Sequence, residues 1–292
     1  MEGEKVVFFV KIFIALIAII VVFYFLRKAN KNTYKVVVNK ISVNPEQQYV
    51  NPTHVNVLHL SDLHLENLSI TPDELYRQVK HEKIDLIAIT GDFLDRQRSI
   101  PKLIPYLDIL NKIAPSHGIY AVFGNHDYFL RKNNFEKLKQ LLEEHGVRTF
   151  QNENESLLIH GHRLNLIGID DFSSKRSNLV ESYSSLKAGY NLVLTHDPNL
   201  VLKMQDYHFD YLLSGHFHGG QICYPKPYHL VKMGKLVRMK MIKGFHTHDG
   251  KPFYINEGLG QTGVNIRVRS NPEITIHSLT LGTKDVAEQQ AI

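Results

Sequence analysis

The stretch IDLIAITGDFLDR, residues 84–96, runs from an apolar segment into two carboxylates. The apolar part lacks the regular polar alternation of a half-exposed strand, which is typical of a strand covered on both faces of its sheet. Gly91 then allows a tight turn, and Asp92 follows it directly. The stretch therefore predicts a buried strand that ends on an acidic side chain.

Four further apolar segments of the chain end in the same way. They are VNVLHL, GIYAVF, NLVLT and YLLS, and the polar residues that follow them are Asp62 and His64, Asn125 and His126, His196, and His216 and His218, in that order. Helical patterns separate most of these segments, so we expect an α/β fold with helices packed on its sheets. The carboxyl ends of strands in such folds meet at one crevice, so these side chains should converge although they lie up to more than 150 residues apart.

Helical spacing of apolar residues accounts for much of the chain between the strands. The predicted helices lie at 73–82, 101–113, 134–145 and 176–188, and a short one follows Pro198. After Gly250 the pattern changes to three apparent strands, PFYIN, VNIRVR and EITIHSL, with no helix between them. We expect these strands to complete a second sheet or to form an edge.

The composition limits the kind of site that the chain can build. With 292 residues, of which 43% are hydrophobic, the chain can form one sizeable core with an appendage. The single cysteine, Cys223, excludes an internal disulfide framework and a thiolate-rich zinc site. Any metal ion must therefore have nitrogen and oxygen ligands. The net charge of +5 permits an anionic partner without identifying one.

Residues 6–26 form an apolar segment that is interrupted only by Lys11. Its 21 residues are about the number that a helix needs to cross the hydrocarbon core of a bilayer. A cleaved signal peptide is the alternative, but its apolar part would be shorter and would end in small residues, not in Phe23, Tyr24 and Phe25. We expect a retained, single-pass anchor in the cell membrane. Basic residues after the segment favour a cytoplasmic domain, yet the side of the membrane stays open.

The expected organisation has four parts. They are an N-terminal membrane anchor at 1–28, a linker at 29–53 with one possible strand at 34–39, a globular domain at 54–283 and a tail at 284–292.

The residue types at the strand ends suit divalent cations. Aspartate, asparagine and histidine bind manganese, iron, zinc or magnesium, and a carboxylate can bridge two ions. Two ions roughly 3.5–4 Å apart can orient a phosphoryl group and neutralise the charge that develops on its oxygens. The pattern therefore indicates a dinuclear metal site.

The motifs D-x-H, G-D-x-x-D, G-N-H-D, H-x-P and G-H-x-H-G-G occur here in the order found in calcineurin-like metallophosphoesterases, and the resemblance covers residues 56–281. The chain looks most like the membrane-anchored bacterial branch, which closes with a segment similar to INEGLGQTGVNIRVRSNPEITI at 255–276. That branch includes proteins related to UDP-2,3-diacylglucosamine pyrophosphatases and cell-envelope phosphoesterases. The resemblance implies a four-layer αββα sandwich. It also implies a metal-dependent hydrolase of a phosphomonoester, phosphodiester or pyrophosphate, with a phosphorylated small-molecule or lipid-linked substrate.

The resemblance also implies roles for particular residues. The first metal ion would be bound by Asp62, His64, Asp92 and His218, and the second by Asp92, Asn125, His196 and His216, with Asp92 as the bridge. Two divalent cations are implied, with manganese favoured over iron, zinc and magnesium.

His126 resembles the family's histidine that contacts the phosphate and protonates the leaving group, and Asp95 is placed to orient it. These two are the implied catalytic residues, and Arg96 is a further candidate for binding phosphate. Asp127 and Asp197 each follow a predicted ligand, and each could orient its neighbour or cap the next turn.

The segment 226–243 contains several lysine and arginine residues and no acidic residue. It is either a solvated basic loop or a surface that contacts anionic lipid near the site. Nucleic acid is an unlikely partner because aromatic residues for base stacking are sparse there. A non-catalytic metal- or phosphate-binding scaffold, a nuclease and a protein phosphatase are the alternative functions, and the sequence leaves the oligomeric state open.

Overall fold

The computed structural model describes residues 2–43 and 49–284 of the chain. Within these residues, twelve strands form two six-stranded sheets. The strands are β1 (Val37–Ser42), β2 (Tyr49–Leu60), β3 (Leu86–Thr90), β4 (Ile119–Val122), β5 (Val147–Phe150), β6 (Glu153–Ile159), β7 (His162–Gly168), β8 (Tyr190–Leu194), β9 (Tyr211–Ser214), β10 (Gly244–His248), β11 (Lys251–Ile255) and β12 (Glu273–Lys284). The order is β1-β12-β2-β3-β4-β5 in the first sheet and β10-β11-β9-β8-β7-β6 in the second.

Six α-helices accompany the sheets in the described part of the chain. They are α1 (Glu2–Asn32), α2 (Pro72–Val79), α3 (Ile100–Ile113), α4 (Lys132–Glu144), α5 (Leu179–Ser182) and α6 (Lys235–Arg238). Single 3-10 turns lie at Gln97–Ser99, Asp127–Phe129, Pro198–Lys203, His218–Gly220 and Tyr228–Lys232. The predicted helices at 73–82, 101–113 and 134–145 are thus present as α2, α3 and α4, and the short helix after Pro198 is a 3-10 turn.

The first sheet is buried on both faces, as its apolar strands predict. On β2, Val55 and Val57 point into a core between the two sheets, whereas Leu58 and Leu60 point into a core beneath α2, α3 and α4. Successive side chains of a strand point to opposite faces, so one apolar strand can supply both cores. A third core lies on the outer face of the second sheet, under α6 and neighbouring turns. The α/β prediction with four αββα layers is confirmed.

The helix predicted at 176–188 is much shorter in the structure, where α5 covers only Leu179–Ser182. Asn178 caps its first turn by accepting a hydrogen bond from the Glu181 amide. The segment beyond α5 is rich in serine and contains Gly189, which favour turns over a continuing helix.

The C-terminal strands differ from the prediction. β11 joins the second sheet, but β12 lies inside the first sheet between β1 and β2. The segment VNIRVR, predicted as a strand, forms only one isolated bridge, between Ile222 and Val268. Its backbone binds the end of α1 instead, and its Arg267 side chain is fully buried. β5, β6 and β10 were not predicted.

The predicted linker at 29–53 is folded wherever the structure describes it. β1 lies within it, slightly later than the possible strand at 34–39, and pairs with β12 in parallel from Val37↔Glu273 to Ser42↔Ser278. The boundary at residue 54 falls inside β2. Residues 44–48 of the linker and 285–292 of the predicted tail lie outside the described residues.

α1 is long and apolar enough to cross a bilayer, and none of the residues in its apolar window is buried against the part of the protein that the structure describes. Its last turn is different, because Ala29 is buried and its carbonyl accepts a 3.0 Å hydrogen bond from the Arg267 amide. The Asn30 and Asn32 side chains donate to the carbonyls of Asn265 and Arg267 at 2.7 and 3.0 Å. The helix end is therefore fastened to the domain.

A cluster of two histidines and two tyrosines is buried between the sheets. The His277 ring of β12 packs against His59, Tyr211 and Tyr254, and the Tyr211 hydroxyl lies 3.0 Å from His277 Nδ1. Burial, followed by the proximity of His59, holds the pKa of His277 well below its usual value. Both histidines were predicted to be surface or packing residues, and they pack in the core.

Candidate metal centre

The carboxyl ends of strands from both sheets meet at one edge of the sandwich. The predicted metal-ligand residues follow these strands: Asp62 and His64 follow β2, Asp92 follows β3, Asn125 follows β4, His196 follows β8, and His216 and His218 follow β9. Hydrogen bonds run between the sheets here, since the His216 amide donates to both carboxylate oxygens of Asp62 at 3.1 and 3.2 Å. Residues that are distant in sequence thus become neighbours.

The donor atoms form two groups with one carboxylate between them. In the first group, atoms of Asp62, His64 and His218 lie within 4.8 Å of one another, and in the second the same holds for Asp92, His196 and His216. Asp92 Oδ2 is 3.1 Å from His196 Nε2 and 3.4 Å from His64 Nε2. The Asp92 carboxylate therefore faces both groups, as a bridging ligand must.

Three buried atoms at this edge have no hydrogen-bond partner among the described residues. They are His64 Nε2, His218 Nδ1 and Asn125 Oδ1. Leaving a buried polar atom unpaired costs about 1–3 kcal/mol, so such atoms call for an explanation. Each can donate a lone pair to a cation, and nitrogen and oxygen donors of this kind suit divalent ions. The residues present fit a metal-binding role.

Five of the predicted ligands have a left-handed backbone conformation that residues other than glycine rarely adopt. The φ angles are 50° at Asp62, 37° at His64, 55° at Asp92, 75° at His216 and 49° at His218. Left-handed backbone of this kind costs of order 1–3 kcal/mol per residue and clusters at functional sites. The strand ends therefore turn sharply so that these side chains face the crevice.

Glycines leave the space that the carboxylates occupy. A Cβ atom at Gly124 would lie 2.2 Å from Asp92 Oδ1, and one at Gly215 would lie 2.2 Å from Asp62 Oδ2. Both distances are far below van der Waals contact, so any larger residue would displace a carboxylate.

The charges at the site are strongly coupled. Burial by itself lowers the pKa of His64, but the carboxylates of Asp92 and Asp95 beside it raise it to about 10. Burial likewise lowers the pKa of His196, and the Asp92 carboxylate reverses this and raises it well above its usual value. Positive charge next to these carboxylates is strongly favoured, and either protons or metal ions can supply it.

Asp127 orients a neighbouring loop, whereas Asp197 caps a turn. The Asp127 carboxylate accepts 2.9 Å hydrogen bonds from the amides of Asp92, Phe93 and Gly124, so it fixes the loop that carries Asp92. Burial and then the charge of Asp92 raise the pKa of Asp127 to about 7. Asp197 instead caps the Pro198–Lys203 turn through the Asn199 amide.

His126 and Asp95 lie beside the two donor groups. Asp95 Oδ1 is 2.8 Å from Nδ1 of His126, the contact expected from the sequence, and also 2.8 Å from Nδ1 of His64, which was not expected. The Asp95 amide donates to Glu66 at 2.9 Å, which holds the loop in place. The side chain of His126 is 23% exposed, so it can reach a ligand in the crevice. Arg96 is exposed at the rim.

Arg267 stabilises the loop at 257–260, which contacts the site, and this role was not predicted from the sequence. Its guanidinium donates to the carbonyls of Glu257, Gly258 and Gly260 at 2.8–2.9 Å. The same loop packs on Asp62, a predicted metal ligand, since the Gly260 amide donates to the Asp62 carbonyl at 2.7 Å. An arginine inside an apparent strand was the only signal, and alone it indicates an exposed side chain.

A cavity of about 480 Å³ opens beside His216. Three exposed lysines, Lys203, Lys232 and Lys235, are among its lining residues. Two of them belong to the basic segment 226–243, so that segment reaches the edge where His216 lies.

Comparisons with known proteins agree with this geometry. The family model described as calcineurin-like phosphoesterase matches residues 55–220. The chain is 60% identical over 268 residues to the uncharacterized metallophosphoesterase YkoQ of Bacillus subtilis (strain 168), covering 90% of this chain and 97% of that protein. It is 25% identical to the phosphodiesterase YaeI of Escherichia coli (strain K12), over 73% of this chain and 76% of that one. It is 26% identical to the UDP-2,3-diacylglucosamine pyrophosphatase LpxG of Chlamydia muridarum (strain MoPn / Nigg), over 70% and 78%.

Proposed function

The chain belongs to the calcineurin-like phosphoesterase family and is a metal-dependent phosphoesterase, and we propose that it is a membrane-anchored enzyme with a dinuclear centre. The first ion would be bound by Asp62, His64, Asp92 and His218, and the second by Asp92, Asn125, His196 and His216. The observation that carries this assignment is the Asp92 carboxylate, which faces a donor group on either side. Manganese is the favoured ion among manganese, iron, zinc and magnesium.

The bound ions supply charge neutralisation at the phosphoryl oxygens and a lowered pKa for water. The protein residues supply the remaining chemistry. In the protonated form of His126, Nδ1–H donates a hydrogen bond to Asp95 and Nε2–H gives its proton to the leaving-group oxygen, which leaves a neutral ring that solvent reprotonates. Asp127 holds the Asp92 loop through three backbone amides and keeps the bridging carboxylate in position.

The cavity beside His216 favours a substrate with more than one negative charge. Lys203, Lys232 and Lys235 line it together with one carboxylate, that of Asp197, so a single phosphate at the metal ions would leave an excess of positive charge in the cavity. A pyrophosphate or a diester with a further anionic group fits better than a simple monoester. LpxG, a relative named as a pyrophosphatase of a diacylated sugar nucleotide, supports the same class of substrate.

The apolar helix α1 supports a lipid-linked substrate. Its exposed apolar length is sufficient to span a bilayer, and its last turn is fastened to the domain. The catalytic edge would then stay close to the membrane surface, where a lipid-linked phosphate compound is concentrated.

Hydrolysis of bis(p-nitrophenyl) phosphate by the full chain with Mn²⁺ tests the catalytic assignment. Asp92→Asn should abolish turnover because both ions lose a charged ligand, and His126→Ala should reduce it about 10²–10⁴-fold through loss of the proton donor. Replacement of the exposed His81 by Ala is the control and should have no effect. A protein that binds Mn²⁺ but hydrolyses no phosphate ester would instead be a scaffold.

Removal of the apolar helix tests the lipid-linked substrate. The shortened chain should begin at residue 27, so that Ala29, Asn30 and Asn32 keep their contacts with the domain. We expect unchanged turnover of the water-soluble ester and a large loss of turnover for a lipid pyrophosphate in vesicles. Equal losses on both substrates would contradict the proposal.

A further inference from the structure

A second cavity, of about 670 Å³, lies where α1 meets the catalytic domain. α1 contributes Phe25 and Lys28 to its lining, and the domain contributes Ile222, Tyr224, Val268 and Arg269. None of the predicted metal ligands lines it, so it is separate from the catalytic edge.

The lining combines two cations with apolar side chains. Lys28 and Arg269 are exposed, and none of the described residues that line the cavity is acidic. The guanidinium of Arg269 lies over the ring of Tyr224, with its carbon 4.9 Å from the ring centre. This stacking holds one positive charge at the mouth of the cavity. The cavity therefore attracts an anion whose remaining part is apolar.

The position of the cavity along α1 identifies the source of such an anion. Phe25 belongs to the apolar stretch that spans the bilayer in the proposed function, and Lys28 lies three residues further on, about 4.5 Å along the axis. The cavity therefore lies at the boundary between the acyl chains and the headgroups of the bilayer. A free phosphate would use the two cations and leave Phe25, Ile222 and Val268 without contacts.

We propose that this cavity binds an anionic phospholipid of the bilayer that contains α1, with its phosphate between Lys28 and Arg269 and its glycerol and upper acyl chain against Phe25. The inference rests on the proposed membrane insertion of α1 and not on the proposed hydrolysis.

The bound lipid would contact two segments that lead to the metal centre. Ile222 follows His218 by four residues, and Arg269 follows Arg267 by two. One lipid molecule would therefore add a second attachment between the helix and the domain, beside the hydrogen bonds of Ala29, Asn30 and Asn32.

The absence of tryptophan from the chain allows a direct test. Tyr224→Trp places the only tryptophan in the cavity, where an indole can still stack under Arg269. The full-length variant is reconstituted in nanodiscs of phosphatidylcholine that contain dansyl-labelled phosphatidylglycerol or dansyl-labelled phosphatidylcholine. We expect stronger energy transfer to the anionic lipid, and unlabelled phosphatidylglycerol should reverse it.

Charge removal from the lining provides the decisive comparison. In the Tyr224→Trp background, Lys28→Gln with Arg269→Gln should weaken binding of phosphatidylglycerol about 25-fold, since each basic residue contributes about fivefold. Arg27→Gln with Lys31→Gln removes the same charge from the same helix end. These two residues do not line the cavity, and Arg27 lies over the Phe23 ring instead. This control pair should retain most of the affinity.

Four results would overturn the inference. Equal losses in both double variants would reduce the effect to general surface charge, and displacement of the labelled lipid by inorganic phosphate would make the cavity a phosphate site. A chain that floats with liposomes but shows no preference for the anionic lipid would refute the lipid site alone. A chain that does not float would refute membrane insertion, and the lipid site with it.

Discussion

Replacement of the buried Arg267 by methionine should destabilise the protein and weaken metal binding together. Methionine fills a similar volume but donates no hydrogen bond. Four carbonyl groups, those of Glu257, Gly258, Gly260 and Asn271, would lose donors that now lie at 2.8–2.9 Å. At about 1 kcal/mol for each buried carbonyl left unpaired, the loss is about 4 kcal/mol.

The methionine variant no longer buries the guanidinium charge, and this gain in folding free energy offsets part of the loss. Arg267 is fully buried, and burial lowers the pKa of its guanidinium to about 10, which shows that the charge is held at a cost. We therefore expect a net decrease of at least about 2 kcal/mol in the free energy of unfolding. The loosened 257–260 loop would also release Asp62, and loss of such supporting contacts typically lowers metal affinity about 10–100-fold.

Urea unfolding of the full chain in detergent, followed by far-UV circular dichroism, measures the first effect, and calorimetric titration with Mn²⁺ measures the second. Arg269→Met is the matched control, because this arginine is exposed and lies only two residues away. Its unfolding free energy should change by no more than about 0.5 kcal/mol. Equal stability of the two variants would refute the argument from hydrogen bonds. A destabilised Arg267→Met protein with normal Mn²⁺ affinity would refute the role in positioning Asp62.

Three other substitutions test separate parts of the structure. Asp127→Asn places an NH₂ group against backbone N–H donors, so it should lower the Mn²⁺ affinity about 10–100-fold in calorimetric titration. Unchanged affinity would show that the position of Asp92 does not depend on these hydrogen bonds. Gly215→Ala places a methyl group 2.2 Å from Asp62 Oδ2 and should abolish binding of the first ion, seen as a halved metal content by elemental analysis; two retained ions would contradict this. His277→Gln addresses pH, because the buried histidine stays neutral in the folded state while in the unfolded chain it binds a proton below about pH 6.5. Its contribution to the free energy of unfolding is complete above that pH and falls by about 1.4 kcal/mol for each pH unit below it. Urea unfolding should therefore show that the variant loses less stability on acidification than the original protein. Parallel pH profiles of the two proteins would refute the assignment.

Sequence patterns were sufficient for the strands that reach the site. β3 and β9 are apolar up to their last residues, Thr90 and Ser214, because both of their faces are buried, and each is followed by a glycine and then a ligand-type side chain. The residues of the site can therefore be recognised at positions where a polar residue follows a buried apolar segment. Convergence followed from the rule that parallel strands end at one edge.

The rest of the fold depends on contacts that no local pattern contains. The segment around Arg267 has the alternation of a strand, yet its amides and carbonyls bind α1 and the loop at Gln221. β1 looked like part of a linker because its partner, β12, lies more than 230 residues further along the chain. The second contact of Asp95, with His64, also required the folded geometry, since the resemblance assigned Asp95 to His126 alone.

The interleaving of β12 between β1 and β2 has a consequence for biosynthesis. At 5–20 residues per second, a ribosome takes roughly 10–40 seconds to proceed from the end of β2 to β12. In the proposed membrane-anchored enzyme, α1 would enter the bilayer during that interval, while β2 still lacks its partner strand β12. A nascent chain that stalls before Glu273 would carry two unmatched strand edges on a tethered, half-built domain, so premature termination should produce a target for membrane proteases and not a partially active enzyme.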